Sequence, residues 1–486
     1  MKVLKPSFTI FSAILLLSGL QKAYSQRIIG SINTTIAKDE TPILYAYDGG
    51  VQLIILSEDE LRYYRLNQSF QIESHGTASI KNIGFAPRLY EVNANRKNIN
   101  LFFSRRDSSG LRCLTINTVG HQIRIRNCIE DWDNKTQLLG HYSVQDTACF
   151  IYSNGENEIS LSTVVSGESV GNANGAIDPS IFTSWTETST SHPQLSKCLI
   201  DQNFMRHYAL PFTPIKFYHR SKNIYASIED GFSTHIVSFS RKHGSVSQKT
   251  LNVELPTSTS LRGALSNSLI KGKNVYQGIM TANGLILQKS GLKTGDHKFN
   301  KFYTYHNCRE NGSPVYLHNR GKEGSYEEAP KTSFEFHKDR NNRMMAIMVE
   351  TRKGNDHVIV SEVEPLKGFE NWSKTSTFIK PKEHSQKVNG LVQSFSLSVF
   401  PSANFNFQQA ISYKWSSIGL SISSTGEQIE NGTDPDFTYS KANVTYFKMK
   451  YSSMFASHGC LVYLNNYAAY CFYRKTKKQF FFTAVE

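Results

Sequence analysis

The sequence predicts an all-β fold, most simply a β-propeller of about seven blades, with eight as the alternative count. From residue 43 onward, short segments rich in β-branched and aromatic residues alternate with turns that contain Gly, Asn or Ser, the pattern of closely spaced β-strands. Groups of these segments recur at intervals of roughly 45–65 residues, close to the roughly 40–50 residues of known propeller repeats. The regular recurrence favours a ring of similar sheets.

Several predicted strands are apolar on both faces. Residues 53–56 (LIIL), 101–103 (LFF) and 149–152 (CFIY) do not alternate between apolar and polar side chains. A strand in a sheet with one solvated face alternates strictly, so these strands are expected to be covered on both sides. The inner strands of propeller blades meet this condition because each blade packs between two neighbours.

The two ends of the predicted ring are expected to meet. Residues 479–486 (QFFFTAVE) are expected to pair with residues 28–36 and so close the ring.

Two β-sandwich domains in tandem are the alternative fold, with a boundary within residues 167–193 or 310–330. The chain lacks a tryptophan–aspartate repeat, a kelch glycine pattern and the Asp-box repeats of sialidases, so the sequence assigns no propeller family.

The N-terminus has the composition of a secretory signal peptide, residues 1–25. Two lysines precede an apolar run at residues 8–20, and the small residues Ala23 and Ser25 precede the expected cleavage point. The apolar run is shorter than the roughly 20 residues that span a bilayer. We therefore expect a soluble, secreted or periplasmic protein without an integral membrane segment, in which residues 26–486 form a single propeller domain.

The charge of the chain is basic but scattered along the sequence. Removal of the leader with its three lysines lowers the formal net charge from +14 to +11. Such an excess favours anionic partners, such as acidic glycans or a charged envelope surface. Apart from short runs at residues 241–242 and 474–478, however, basic residues are interspersed with acids and aromatics. We expect at most weak electrostatic association with anionic surfaces and, because the chain is exported, no nucleic-acid partner.

The seven cysteines are compatible with disulfides in an exported chain. One predicted hairpin turns at residues 120–121 and sets Cys113 opposite Cys128. A second turns at residues 465–466 and sets Cys460 opposite Cys471. Tight turns rich in Gly and Asn fix such registers, so each pair is a disulfide candidate, with buried free thiols in neighbouring strands as the alternative.

Residues 167–171 (GESVG) match the G-x-S-x-G elbow that presents a nucleophilic serine in esterases and lipases, with Ser169 in the nucleophile position. The elbow requires a helix directly after the serine, because backbone N–H groups there help to bind the oxyanion. The following residues contain Asn-Gly, Asp-Pro and many Ser and Thr, which predict a loop. We therefore interpret Ser169 as a turn residue rather than a nucleophile.

No metal site or cofactor is expected from the sequence. The 15 histidines are scattered, without an H-E-x-x-H motif or a close His/Cys cluster. A Gly-rich phosphate-binding loop is absent. The acidic turn at residues 130–136 (EDWDNKT) lacks the remaining ligand positions of a calcium loop.

The recognition surface is expected at two long irregular insertions, residues 166–193 and 307–333, because propellers bind ligands at the channel and on the loops of one face. Side chains there and at the adjoining His306 are suited to stacking on sugars or binding carboxylates. These candidate ligand-binding residues are Trp185, His192, His306, Arg309, Tyr316, His318 and Arg320.

The sequence favours a binding or interaction module for an extracellular glycan or protein over an enzyme. The alternative is a secreted carbohydrate-active hydrolase or lyase on the same scaffold, which requires two carboxylates, or a tyrosine and a histidine, at the channel mouth. A second alternative is a structural protein attached to the cell envelope, which requires no small-ligand pocket.

Overall fold

The computed structural model of the chain describes residues 28–485, interrupted by gaps. The predicted signal peptide, residues 1–25, lies outside the described residues. The shorter gaps are one to six residues long. The longer gaps are residues 200–213, 331–342, 366–412 and 430–455.

The described strands form seven antiparallel units of at least four strands each, which are the blades of a propeller. In the first three blades the order of strands in the sheet follows their order in the chain. Blade 1 contains β2 (Thr41–Tyr47), β3 (Gly50–Leu56), β4 (Glu60–Asn67) and β5 (Ile72–Ser79); blade 2 contains β6 (Arg88–Ala94), β7 (Asn98–Ser104), β8 (Leu111–Asn117) and β9 (Ile123–Ile129); blade 3 contains β10 (Gln137–Val144), β11 (Thr147–Ser153), β12 (Glu158–Val165) and β13 (Glu168–Ala176).

The remaining four blades include three departures from this order. Blade 4 contains β15 (Ile215–His219), β16 (Asn223–Asp230), β17 (Ser233–Ser240) and β18 (Ser245–Asn252), and β14 (Lys197–Leu199) pairs parallel to β15; blade 5 contains β19 (Leu265–Lys271), β20 (Asn274–Met280), β21 (Gly284–Gly291) and β22 (His297–Thr304). Blade 6 contains β25 (Met344–Arg352), β26 (Asn355–Pro365), β27 (Tyr413–Ile422), β23 (Val315–Arg320) and β24 (Tyr326–Pro330), in that spatial order; blade 7 contains β28 (Ala456–Leu464), β29 (Tyr467–Arg474), β30 (Gln479–Val485) and β1 (Ile28–Asn33).

The first strands of the blades surround the axis of the ring, since β28 contacts β2, β2 contacts β6, β6 contacts β10 and β19 contacts β25. The second strands are covered on both faces, and β3 is buried along its whole length. The fourth strands are the exposed ones, as in β5 and β9. This burial pattern confirms the prediction that the non-alternating apolar strands lie inside blades.

The ring is closed by the pairing of the first described strand with the last. Strand β1 pairs antiparallel with β30, with Asn33 opposite Gln479 and Ile28 opposite Thr483. This pairing confirms the predicted closure. Phe482 is fully buried beneath it, and its ring lies 4.7 Å from that of Phe70 in blade 1. The terminal strands therefore complete blade 7 and its interface with blade 1.

Buried polar contacts join several blades. The Glu91 carboxylate of blade 2 lies 2.9 Å from Nδ1 of His141 in blade 3. Lys289 of blade 5 lies 2.5 Å from Asp356 of blade 6, which also accepts a hydrogen bond from Tyr276 at 2.9 Å. Because buried charges are tolerated only when paired and hydrogen-bonded, these contacts restrict how neighbouring blades can pack.

The segment 166–193 is ordered secondary structure, so the prediction of an irregular insertion there is wrong. It contains β13 and then helix α1 (Pro179–Ser191). Asp178 caps the helix by accepting hydrogen bonds from the backbone N–H and the hydroxyl of Ser180 at 2.8 and 2.6 Å, and these bonds lower the pKa of Asp178. An acidic cap followed by Pro at the first position is a strong helix start.

The prediction that residues 307–333 are irregular is also wrong for the described part of this segment. Its described part contains helix α2 (Tyr305–Glu310) and the strands β23 and β24. Strand β23 pairs with β27, with Val315 opposite Ile418. Blade 6 thus receives its fourth strand from a segment that precedes its first strand in the chain.

No helix among the described residues is both long and apolar enough to cross a membrane.

The closure gives a first testable prediction. Phe482→Ala is expected to lower the free energy of unfolding by about 3–5 kcal/mol, because it removes a fully buried aromatic side chain from the closing strand. Ile28→Ala, at a position 56% exposed on the partner strand, is the control and is expected to cost about 0.5 kcal/mol or less. Urea denaturation of both variants measures the difference. Equal, small effects would contradict the role of the closing strand.

Candidate functional site

Trp185, one of the predicted ligand-binding residues, is buried in the core. Its exposed fraction is 0%, its Nε1–H donates to the Leu139 carbonyl at 3.3 Å, and its ring packs on Phe217. The indole anchors α1 between blades 3 and 4. The expectation that Trp185 contacts a ligand is therefore wrong, because helix α1 turns this side chain inward.

The other predicted ligand-binding residues are spread over the segments around blade 6. His306 is exposed on α2, which also contains Arg309. Tyr316, His318 and Arg320 occupy alternate positions of β23. His192 lies outside the described residues. The described structure does not bring these residues together with Trp185.

Ser169 lies on the exposed outer strand β13. Its hydroxyl donates to Oδ1 of Asn172 at 3.2 Å. The preceding residues Ser166 and Gly167 have φ angles of 50° and 82°, so they form the hairpin turn between β12 and β13. The G-x-S-x-G motif is thus a turn followed by a strand, without the helix of an esterase elbow.

The predicted register of the first cysteine hairpin is wrong by two residues, since Cys113 lies opposite Arg126. The cause is Asn117, whose Oδ1 accepts hydrogen bonds from two backbone N–H groups of the turn at 2.9 and 2.7 Å and so builds a longer turn. A shift of two residues preserves the faces of a strand. The thiols of Cys113 and Cys128 are both buried and free in the structure, and Sγ of Cys128 donates to the Gly167 carbonyl at 3.3 Å. A disulfide between them stays a prediction.

The second cysteine hairpin has the predicted register. Cys460 lies opposite Cys471, and Leu464 lies opposite Tyr467 across the turn. The backbone pairing therefore confirms the hairpin, and a disulfide at this position stays a prediction.

The described structure gathers basic residues on one face of the ring. In each blade the turn between the first and second strands and the turn between the third and fourth strands lie at the same end, because the strands are antiparallel. In blades 4 and 5 these turns, together with Lys271 at the end of β19, are residues 220–222, 241–244, 271–273 and 292–296. We call these four turns the basic turn face. They contain one acidic residue, Asp296, and seven basic ones: Arg220, Lys222, Arg241, Lys242, Lys271, Lys273 and Lys293.

Hydrogen bonds connect the four turns to one another. Within blade 4, the Arg241 N–H donates to the Lys222 carbonyl at 3.1 Å, and within blade 5 the Leu292 N–H donates to the Lys273 carbonyl at 2.8 Å. Between the blades, Nη2 of Arg220 donates to the carbonyl of Gly272 at 2.7 Å. The turns therefore form one continuous surface.

Five of the seven basic residues of this surface form no ion pair with a described carboxylate. Among the described residues, no carboxylate forms an ion pair with Lys222, Arg241, Lys242, Lys273 or Lys293. Several cations on adjacent turns produce a positive potential that attracts anions. This cluster was not found from the sequence, because its members are separated along the chain. Residues 220–222 precede residues 241–242 by about 20 positions, and residues 271–273 precede Lys293 by a similar distance. One sequence feature could have indicated the cluster: basic residues lie within two positions of a glycine at turns of both blades, as in KGK at residues 271–273.

Beside the basic turn face, at the end of β15, a buried polar cluster lies between blades 3 and 4. Nδ1 of His219 lies 3.4 Å from the hydroxyl of Tyr142 and 3.8 Å from Sγ of Cys149. Burial raises the pKa of the Cys149 thiol to about 12, and the nearby charge of Arg241 opposes that shift only in part. Burial likewise raises the pKa of Tyr142. Cys149 and Tyr142 are therefore protonated at neutral pH, so this cluster contains neither a thiolate nor a tyrosinate.

The Glu91–His141 pair is a second polar cluster near the axis, between blades 2 and 3. Glu91 is fully buried, and burial raises its pKa although the hydrogen bond with His141 opposes the shift. Burial and the charge of Glu91 also raise the pKa of Tyr45 on the first strand of blade 1. Because Glu91 is buried and contacts His141 of the next blade, this cluster joins blades 2 and 3.

No group of three or more His, Cys, Asp or Glu side chains within the described residues is arranged to hold a metal ion. The described polar clusters are largely buried, whereas the unpaired lysines, Lys222, Lys242, Lys273 and Lys293, are exposed at the turns. The arrangement is suited to binding an anion at the surface.

Comparisons with known proteins assign no family. No protein-family model matches the chain, and no curated protein matches it. Solved structures similar to it include the β-propeller domain of Vanderwaltozyma polyspora Nup133 (11% identity, 67% of this chain and 81% of that chain, TM-score 0.28). The Dos1 propeller is also similar (10% identity, 69% and 71%, TM-score 0.27), as is the uncharacterized protein lmo1340 of Listeria monocytogenes EGD-e (9% identity, 69% and 82%, TM-score 0.28).

The buried Glu91 gives a prediction for pH dependence. Its raised pKa means that the unfolded state releases this proton at a lower pH than the folded state, so the free energy of unfolding falls as pH rises above about 4.3. Glu91→Gln keeps an acceptor for His141 and removes the titration. The stability of wild type minus that of the variant is expected to decrease from pH 4 to pH 7.

Urea denaturation at a series of pH values measures this difference. Glu158→Gln, at an exposed position at the start of β12, is the control for general effects of pH. A difference that stays flat, or that increases with pH, would contradict a raised pKa at Glu91.

Proposed function

We propose that the chain is an exported β-propeller that binds anionic extracellular ligands, with the basic turn face as its binding surface. Export rests on the signal-peptide composition of residues 1–25. The observation that carries the proposal is the convergence of seven basic residues on four connected turns, with one acidic residue among them.

The scaffold supports this role because it holds the turns in place. In blade 4 the strands that these turns join are paired, from Ile215 opposite Ile228 to His219 opposite Ile224 and from Ser233 opposite Asn252 to Ser240 opposite Ser245. Strands β19 to β22 of blade 5 are also paired, with one register shift between Lys289 and Ser290. Binding residues on short turns of a stiff sheet lose little conformational entropy when a ligand arrives.

The protonation of Tyr142 and Cys149 and the burial of Glu91 favour binding over catalysis. The tyrosine and thiol beside the basic turn face are protonated at neutral pH, and Glu91 is inaccessible. Glycoside hydrolysis requires two carboxyl groups that flank the scissile bond. The basic turn face contains one carboxylate, Asp296, and seven basic side chains. Its composition therefore fits the binding of an anion better than glycoside hydrolysis.

Charge reversal tests the proposal. The turn-face variant combines Lys222→Glu, Lys242→Glu and Lys273→Glu. The control variant combines Lys81→Glu, Lys477→Glu and Lys478→Glu, which changes the net charge equally at exposed positions elsewhere. We expect the turn-face variant to lose about tenfold or more in affinity for acidic glycans, and the control variant to lose much less, since screening limits the effect of distant charges.

The measurement is a glycan array with neutral and acidic glycans, read at about 50 mM and about 150 mM salt. Equal losses in the two variants would mean that net charge alone drives binding and would contradict a defined site. Release of shorter fragments from a bound glycan would replace the proposal with the hydrolase or lyase. Absence of any binding by the wild-type protein would also overturn it.

A further inference from the structure

Arg220 differs from the other cations of the basic turn face because its side chain is held at two points. Its guanidinium donates to the carbonyl of Gly272 in blade 5 at 2.7 Å. The same guanidinium lies over the ring of Tyr225, with Cζ 5.1 Å from the ring centroid. Tyr225 is itself held, since its hydroxyl accepts a hydrogen bond from Asn223 at 3.1 Å. Arg220 is therefore fixed at the junction of two blades.

This geometry leaves donors available. A guanidinium has five N–H groups in one plane, and the bond to Gly272 uses one of them. The side chain is half-buried rather than covered. A planar fork that is already immobilised can bind a carboxylate or a sulfate through two parallel hydrogen bonds at a low entropic cost.

The neighbouring lysines have a different character. Lys222, Lys242, Lys273 and Lys293 are exposed, and none forms an ion pair among the described residues. An ammonium on a flexible stem acts as a point charge without a preferred plane. These lysines can attract an anionic chain but cannot select the geometry of its acidic groups.

On this basis we propose that Arg220 is the anchor of the site and binds one carboxylate or sulfate group of an acidic polysaccharide, while the surrounding lysines hold the neighbouring acidic groups. This inference rests on the proposed function. It adds the class of ligand and the residue that determines specificity.

The absence of apolar anchors on this face favours a polysaccharide over a protein or a lipid surface. The exposed large hydrophobic residues of the described structure lie outside the four turns: Ile28, Ile72, Val119, Ile123, Ile125, Val170, Leu255 and Phe302. Protein interfaces concentrate their binding energy in buried aromatic and aliphatic anchors, and binding at a membrane surface gains from apolar side chains buried at the acyl boundary, without which only charge holds a protein there. A polyanionic sugar chain requires neither.

The test compares Arg220→Lys, which keeps the charge but removes the fork, with Lys273→Ala, which removes a charge but keeps the fork. Binding to polygalacturonate, dextran sulfate and neutral dextran is measured at several salt concentrations. Arg220→Lys is expected to weaken binding about tenfold at about 150 mM salt. Lys273→Ala is expected to weaken it mainly at low salt and to flatten its salt dependence.

A second measurement uses the wild-type protein, so that a folding defect in a variant cannot decide the outcome. Phenylglyoxal modifies accessible arginines, and peptide mass spectrometry reports which ones. Saturating polysaccharide is expected to protect Arg220, while Arg124, exposed on β9 of blade 2, stays reactive. Thermal denaturation of Arg220→Lys shows whether its fold is intact.

The outcomes separate the two proposals. Loss of binding to polygalacturonate alone or to dextran sulfate alone in Arg220→Lys supports the anchor and identifies its target as carboxylate or sulfate. Wild-type affinity in Arg220→Lys, together with an unprotected Arg220, would overturn the anchor while the basic turn face stands. Failure of the wild-type protein to bind either polyanion would overturn both.

Discussion

The antiparallel pairing of β1 with β30 is the contact on which the ring depends. It joins residues more than 440 positions apart in the chain, as in Asn33 opposite Gln479, and it supplies blade 7 with its fourth strand. A sheet that lacked this strand would leave Phe480 and Phe482 without their cover, and an open ring would leave blade 1 with an uncovered face. Closure therefore fixes the positions of all the blades, including the two that carry the basic turn face.

The position of the charges follows from the same architecture. Antiparallel strands return each chain segment to the same end of the sheet, and contact between neighbouring blades, as between β16 and β19, places their ends side by side. Lysines that would repel one another are held together because they sit on turns that the sheets and the Arg220–Gly272 hydrogen bond fix. In the interior, by contrast, charged side chains such as Lys289 and Asp356 form ion pairs.

Local patterns in the sequence were sufficient for the strands, the closing pair and the hairpin of Cys460 and Cys471. They were insufficient where a side chain changed the local geometry. Asn117 lengthened the turn before β9 and moved Cys113 away from Cys128 in register. Asp178 started a helix within a segment whose Ser and Thr content is typical of loops, and that helix buried Trp185. The basic turn face could not be read from sequence spacing, because Arg220 and Gly272 are 52 residues apart and meet only through the adjacency of blades 4 and 5.

Hydrogen–deuterium exchange with and without an acidic polysaccharide tests the central claim most directly. If the basic turn face binds the ligand, slower exchange should appear in peptides that cover residues 220–222, 241–244, 271–273 and 292–296. The basic hairpin at residues 474–478, which joins β29 to β30 at the opposite end of blade 7, should be unchanged. Protection at that hairpin, or weak protection spread evenly over all basic turns, would contradict a defined anion-binding face on blades 4 and 5.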